Sequence, residues 1–161
     1  MLFGIDRFNN FQTITSSAEK KLKEASIENA KKEVEWFLQK ILNLSFIEIK
    51  LDTNLKLSNE QIKSFNDFID RRINGEPFQY ILKESSFYGY DFIVNKHTLI
   101  PRPESETIIS IAKKNGHYYN ALDIGTGSAA LAITLSLEKI AISKSTTVFG
   151  LGICRICRIC P

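Results

Sequence analysis

The residues best equipped for chemistry lie between positions 121 and 138, in "ALDIGTGSAALAITLSLE". There Asp123 precedes the loop Gly125-Thr126-Gly127-Ser128-Ala129, and an apolar run follows. Gly125 and Gly127 reach backbone angles closed to other residues and let a ligand approach the main chain. The free N–H groups of a helix starting just after them attract an anion, whether a pyrophosphate or a carboxylate. The same residues also suit a tight strand-to-helix turn with no ligand.

Two cofactor readings compete. "GTGSAA" fits the dinucleotide fingerprint Gly-x-Gly-x-x-Gly/Ala, with Ala130 as the last small residue. That reading needs an acidic residue about 20 positions on for the ribose hydroxyls, and after Glu138 there is no Asp or Glu. Asp123, two residues before Gly125, favours the Asp-x-Gly-x-Gly loop of S-adenosylmethionine-dependent methyltransferases. The loop by itself does not separate them.

Other chemistry-bearing residues are read blandly. His97 and His117 are isolated from any Cys or paired carboxylate and are expected at the surface. Cys154, Cys157 and Cys160 have the spacing of a ferredoxin run, but the chain has no fourth cysteine. No metal is expected, and residues 154–161 are read as a non-native tail, such as a frameshifted end of a longer gene.

Composition sets the frame. The chain has 161 residues, 43% hydrophobic and 24% charged, the balance of a soluble globular protein. A net charge of +3, with Lys spread among Glu, implies a solvated surface rather than a nucleic-acid groove. No stretch approaches the roughly 20 apolar residues that span a bilayer. "MLFGIDRFNNF" lacks the layout of a signal peptide. The first 153 residues contain no cysteine, so a reducing cytosol is the expected compartment.

Residues 12–75 read as helical. Val34, Phe37, Leu38, Ile41 and Leu42 form one stripe of a helix, with Trp36 off it. Ser58 and Gln61 have capping-box spacing, Ile62, Phe65 and Ile69 continue as a buried stripe, and Gly75 with Pro77 supplies a stop. "SSAEKKLKEA" predicts an earlier helix, while "FIEIKLD" (46–52) alternates and stays open as a strand. After Pro77, "PFQYILKESSFYGYDFIVN" predicts a β-hairpin bending at Gly89, with Tyr90, Phe92 and Val94 alternating. A helix through Ile108, Ile109 and Ala112 should then end at Lys113-Lys114-Asn115-Gly116. "ALDI", the glycine loop, "AALAITLSLEKI" and "TTVFGL" make one βαβ unit with parallel strands.

"RRINGEPFQYI", "FYGYDFIV", "LIPRPESE" and "LDIGTGS" together resemble, in order and spacing, the HemK/PrmC family of glutamine methyltransferases. Arg71-Arg72, Gly75, Pro77, Tyr80, Phe87, Gly89 and residues 100–106 fall where that family places such residues. The resemblance implies an α + α/β fold: a small N-terminal helical bundle (1–76) that recognises substrate, a β-hairpin linker (77–100), and the first βαβ unit (101–153) of a class I, Rossmann-like methyltransferase domain. It further implies S-adenosylmethionine as cofactor, peptide chain release factors as partners, and methylation of a glutamine side-chain amide by a monomer that touches neither nucleic acid nor membrane. Asp123, Gly125, Thr126, Gly127, Ser128 and Ala129 then hold the methionine end of the cofactor. Arg102, Pro103, Glu104 and Glu106 match the family's linker-to-domain block, where capping and packing weigh as much as function.

Three departures qualify the resemblance. Ala129 stands where the family usually has Gly, and Gly152 where it has a ribose-binding Asp. The family's Asn-Pro-Pro-Tyr motif, which holds the poorly nucleophilic amide nitrogen in line with the methyl group, does not occur in these residues. The expectation is a fragment, truncated relative to the family and inactive alone, with no catalytic residue of its own. A non-catalytic release-factor-binding module, or a methyltransferase for another protein or nucleic acid, are the alternatives.

Overall fold

The computed structural model describes residues 11–52, 55–118, 121–141 and 148–151. The chain divides between Leu82 and Lys83 into two compact units.

The first unit is helical. α1 (Phe11–Glu24), α2 (Ala30–Leu42), α3 (Phe46–Leu51), α4 (Asn59–Ile73) and α5 (Phe78–Leu82) follow in order. Of the predicted stripes, Val34, Phe37 and Leu38 from α2 and Phe65 and Ile69 from α4 are buried, with Ile41, Leu42 and Ile62 partly buried against them; Phe68 of α4, outside the predicted stripe, and Leu22 of α1 complete the core. Phe68 is central to it. Its ring stacks on Phe37 with centroids 4.3 Å apart and meets Phe78 edge-on at 5.7 Å, geometries that suit the ring quadrupoles. Trp36, off the stripe as expected, is about half exposed and lies tilted against Phe78 at 6.1 Å.

The helix starts follow the side chains that satisfy orphan N–H groups. At α4 the Ser58 hydroxyl accepts from the Gln61 N–H while the Gln61 side chain accepts from the Ser58 N–H. The segment 46–52, left open in sequence, is helical for the same reason. Ser45 and Glu48 form a second capping box, and Ile49 is the buried residue of α3. Its apparent alternation came from Ile47, Ile49 and Leu51, of which only Ile49 is buried.

Pro77 does not open a strand, contrary to the expected start of the hairpin linker. It begins the short helix α5, where the Tyr80 and Ile81 N–H groups donate to the Pro77 carbonyl. The fixed φ of proline suits a first helical turn, and Phe78 and Ile81, three apart, share the buried face. The paired arginines of "RRINGEP" close this end. Arg72 Nε donates to Glu33 Oε2 at 2.7 Å and its Nη2 to Oε1 at 3.3 Å, with the two side chains 20% and 10% exposed. Arg71 makes its own forked pair with Glu76, at 2.7 and 2.6 Å.

The second unit opens with the hairpin, β1 (Glu84–Phe87) and β2 (Tyr90–Ile93), paired antiparallel with Phe87 opposite Tyr90. Its two-residue loop has φ of +51° at Tyr88 and +80° at Gly89. Positive φ at both positions is the primed turn whose twist matches the strands. Phe92 and Val94 point into the core as expected. A 3₁₀ turn at Pro103–Ser105 leads into α6 (Glu106–Asn115), which stops at Gly116. Then come β3 (Ala121–Ile124), α7 (Ala130–Leu137) and β4 (Val148–Leu151), with β3 and β4 parallel and Leu122 opposite Phe149. Phe87, Phe92, Ile109, Ala130 and Ile140 form the buried cluster of this unit. By contrast Leu122 and Ile124, neighbours on one face of β3, are 59% and 77% exposed.

Candidate functional site

The loop between β3 and α7 is shaped by alternating backbone handedness. Gly125, Gly127 and Ala129 have φ of +76°, +56° and +61°, while Thr126 and Ser128 between them do not take positive φ. Alternation of this kind turns successive N–H groups toward one concave side, an arrangement that attracts anions. Nothing lies within 4 Å of a Cβ built on Gly125, so its requirement for glycine comes from backbone angle rather than crowding.

Asp123 braces the loop from the end of β3. The Thr126 hydroxyl donates to its Oδ2 at 2.9 Å. The turn is closed by the Ala129 N–H donating to the Thr126 carbonyl at 2.7 Å, and the Ala129 carbonyl accepts the first bond of α7 from Ile133 at 2.9 Å. Ser128 is buried. The six residues singled out in sequence, Asp123, Gly125, Thr126, Gly127, Ser128 and Ala129, are thus brought together in one loop.

Ala129 carries the strain that its methyl group foreshadowed. It is the N-cap of α7 in a left-handed conformation, and its side chain offers no capping acceptor. For an L-residue with a Cβ this conformation costs about 1–2 kcal/mol.

One residue that the sequence reading passed over stands beside this loop. A Cβ on Gly127 would lie 3.9 Å from Leu99 Cβ, and Leu99 itself is exposed. Its signal was position: it is the first residue of "LIPRPESE".

The block after it divides in role. Glu106, the first residue of α6, accepts a hydrogen bond from the Tyr88 N–H at 2.8 Å, so it fixes the hairpin turn. Arg102, Pro103 and Glu104 are exposed in the 3₁₀ turn. His97 and His117 are both exposed, as expected. Gly152 and the cysteines at 154, 157 and 160 lie outside the described residues.

Residues 13–82 match the PrmC N-terminal domain. The release factor glutamine methyltransferase of Buchnera aphidicola subsp. Schizaphis graminum is 38% identical over 111 residues, covering 68% of this chain and 40% of that protein. This chain belongs to the HemK/PrmC family. The protein of the same name from Chlorobaculum tepidum is 35% identical over 134 residues, 78% of this chain and 44% of its own length. That from Geobacter sulfurreducens is 36% identical over 118 residues, 73% and 42% respectively. The chain therefore spans less than half the length of each of these relatives. The matched N-terminal domain runs from the first turn of α1 to the end of α5.

Proposed function

We propose that this chain carries the substrate-recognition domain, the hairpin linker and the opening βαβ unit of a cytosolic, class I methyltransferase that acts on a glutamine side-chain amide of peptide chain release factors. The observation that carries this reading is the braced loop of alternating handedness, at the junction of β3 and α7, in a chain whose relatives are named release factor glutamine methyltransferases.

S-adenosylmethionine fits the residues present. The concave side of the glycine loop suits the carboxylate of its methionine end, the Ala129 N–H itself being committed to the Thr126 carbonyl. Asp123, held by Thr126, keeps one oxygen for the amino group beside it. Leu99 gives the loop an apolar wall. When bound, the cofactor supplies an electrophilic methyl group on a sulfonium; the loop's own work is to hold and orient. Residues 1–161 by themselves are proposed to transfer no methyl group, since no Asn-Pro-Pro-Tyr is among them to orient the amide.

The test is a chimera joining residues 1–151 to the remaining part of the Chlorobaculum tepidum relative. With radiolabelled S-adenosylmethionine it should label a release factor at glutamine, and Gly127→Val, which forces a branched side chain into a positive φ beside Leu99, should abolish labelling while Trp36 fluorescence shows the helical unit still folded. A folded chimera that binds a nicotinamide dinucleotide instead, or whose labelling survives Gly127→Val, would refute the reading. Release-factor capture without labelling would support the non-catalytic module.

A further inference from the structure

Glu138 stands just past the last turn of α7, at the opposite end of that helix from the glycine loop. Both of its carboxylate oxygens are taken by groups from elsewhere in the second unit. The Tyr90 hydroxyl on β2 donates to Oε1 at 2.9 Å. The Lys113 ammonium in the last turn of α6 donates to Oε2 at 2.6 Å. The carboxylate is shielded, with its side chain 17% exposed, whereas that of Lys113 is 56% exposed. A lone surface pair with such a lysine would be worth little. Here the same acceptor is also bound by a phenol, so three separate elements meet on one side chain.

The other end of α6 completes the frame, because Glu106 accepts from the Tyr88 N–H in the hairpin turn. The hairpin is therefore tied at its turn to the start of α6 and in its second strand to the end of α7. The apolar contacts beneath agree: Phe87 and Phe92 of the hairpin share a buried cluster with Ile109 of α6 and Ala130 of α7.

We propose that Glu138 is a clasp that locks the hairpin and α6 onto α7, so that displacement of the hairpin is carried along α7 to the glycine loop. Glu138 touches no residue of that loop and acts as a positioning residue. An eight-residue helix rises about 12 Å, short enough to move as one rigid piece.

The charges give this clasp a defined pH range. Lys113, and then the Tyr90 hydroxyl, hold the Glu138 carboxyl below its ordinary range. A carboxylate lowered in the folded state stabilises above its unfolded value, and that contribution disappears as pH falls through the lowered one. Glu138 in turn pushes both the Lys113 ammonium and the Tyr90 phenol up. Their contributions are present below their ordinary values and are lost as pH rises through the raised ones. The clasp is closed across neutrality and opens at the acid end. The other titratable groups nearby are Tyr88, which acts on both donors, Lys139, and His117, whose Nδ1 lies 3.1 Å from the Lys139 carbonyl oxygen. A His117→Asn background takes this neighbouring side chain out of the comparison.

The test is hydrogen exchange of the full chain, read by mass spectrometry and corrected for intrinsic rates. In the His117→Asn background at pH 7, Glu138→Gln should speed exchange about tenfold in both the hairpin and residues 125–137, since a doubly bound charge is lost. The helical unit should be unchanged. Tyr90→Phe should do the same to a smaller degree, and adding it to Glu138→Gln should change little further, as coupled partners behave. The loss of protection on acidification should be clearly smaller in Glu138→Gln, the remainder belonging to the Glu106 and Asp123 carboxylates. If Glu138→Gln does not fold, Lys113→Met carries the same comparison. Loosening confined to the hairpin, strictly additive effects, or an acid response undiminished in Glu138→Gln would each overturn the proposal.

Discussion

The two units of this chain keep their shape by different means. Among the described residues, the helical unit buries fourteen apolar side chains in one cluster, with Phe37, Phe65, Phe68 and Phe78 ringed together. The second unit buries seven, five of them in one cluster, and relies in addition on polar ties from Glu106 and Glu138 to the hairpin. Apolar burial at about 25 cal/mol per Å² does not depend on alignment, whereas a charged hydrogen bond weakens steeply with angle and titrates. The first unit is therefore the robust scaffold, and the second is the half that responds to small changes.

The largest expected effect attacks that scaffold. Phe68→Ala removes the ring at the centre of the cluster and should destabilise the helical unit by about 3–5 kcal/mol. Trp36 is the sole tryptophan of the chain and lies in that unit, so its fluorescence during urea unfolding reports this half separately. Next comes Arg72→Ala, which leaves Glu33 without its forked partner in a largely enclosed place. The same measurement should show a loss of about 2–3 kcal/mol, below the full buried-pair figure because solvent still reaches the arginine. A tryptophan transition unchanged by either substitution would erase the contrast between the units.

Smaller effects sharpen the comparison from the other side. The Thr134 hydroxyl is fully buried in α7 and has no hydrogen-bond partner among the described residues. Thr134→Val replaces it by an apolar group of the same shape and should stabilise the second unit by about 1 kcal/mol, read by hydrogen exchange in α7. Ala129→Gly should relax the left-handed N-cap and add about 0.5 kcal/mol, the relief being partly offset by the greater freedom of glycine when unfolded. Slower exchange at residues 125–133 is the expected sign, and faster exchange would mean that the methyl group packs favourably.

Sequence patterns carried much of this architecture, for a physical reason. The α2 and α4 stripes, the Ser58 box, the bend at Gly89 and the Asp123 loop are written in residues a few positions apart, where periodicity, capping and turn chemistry act. Short segments were harder. α3 has six residues and α5 five, so one turn of alternation or one proline weighed as much as the true period. Partners distant in the chain left no local trace: Arg72 finds Glu33 across 39 positions, and Tyr90 finds Glu138 across 48. At the site, the loop's membership was legible, but the presence of Leu99 beside Gly127 depends on how the chain returns after the hairpin.

The outward row on β3 has a practical result. Leu122 and Ile124 present branched hydrocarbon to water on a strand. Greasy strand surfaces of this sort adhere to one another and to chaperones that grip unfolded chains. Ile124→Lys, which puts a charge on this row, should therefore raise the concentration at which the chain stays in solution.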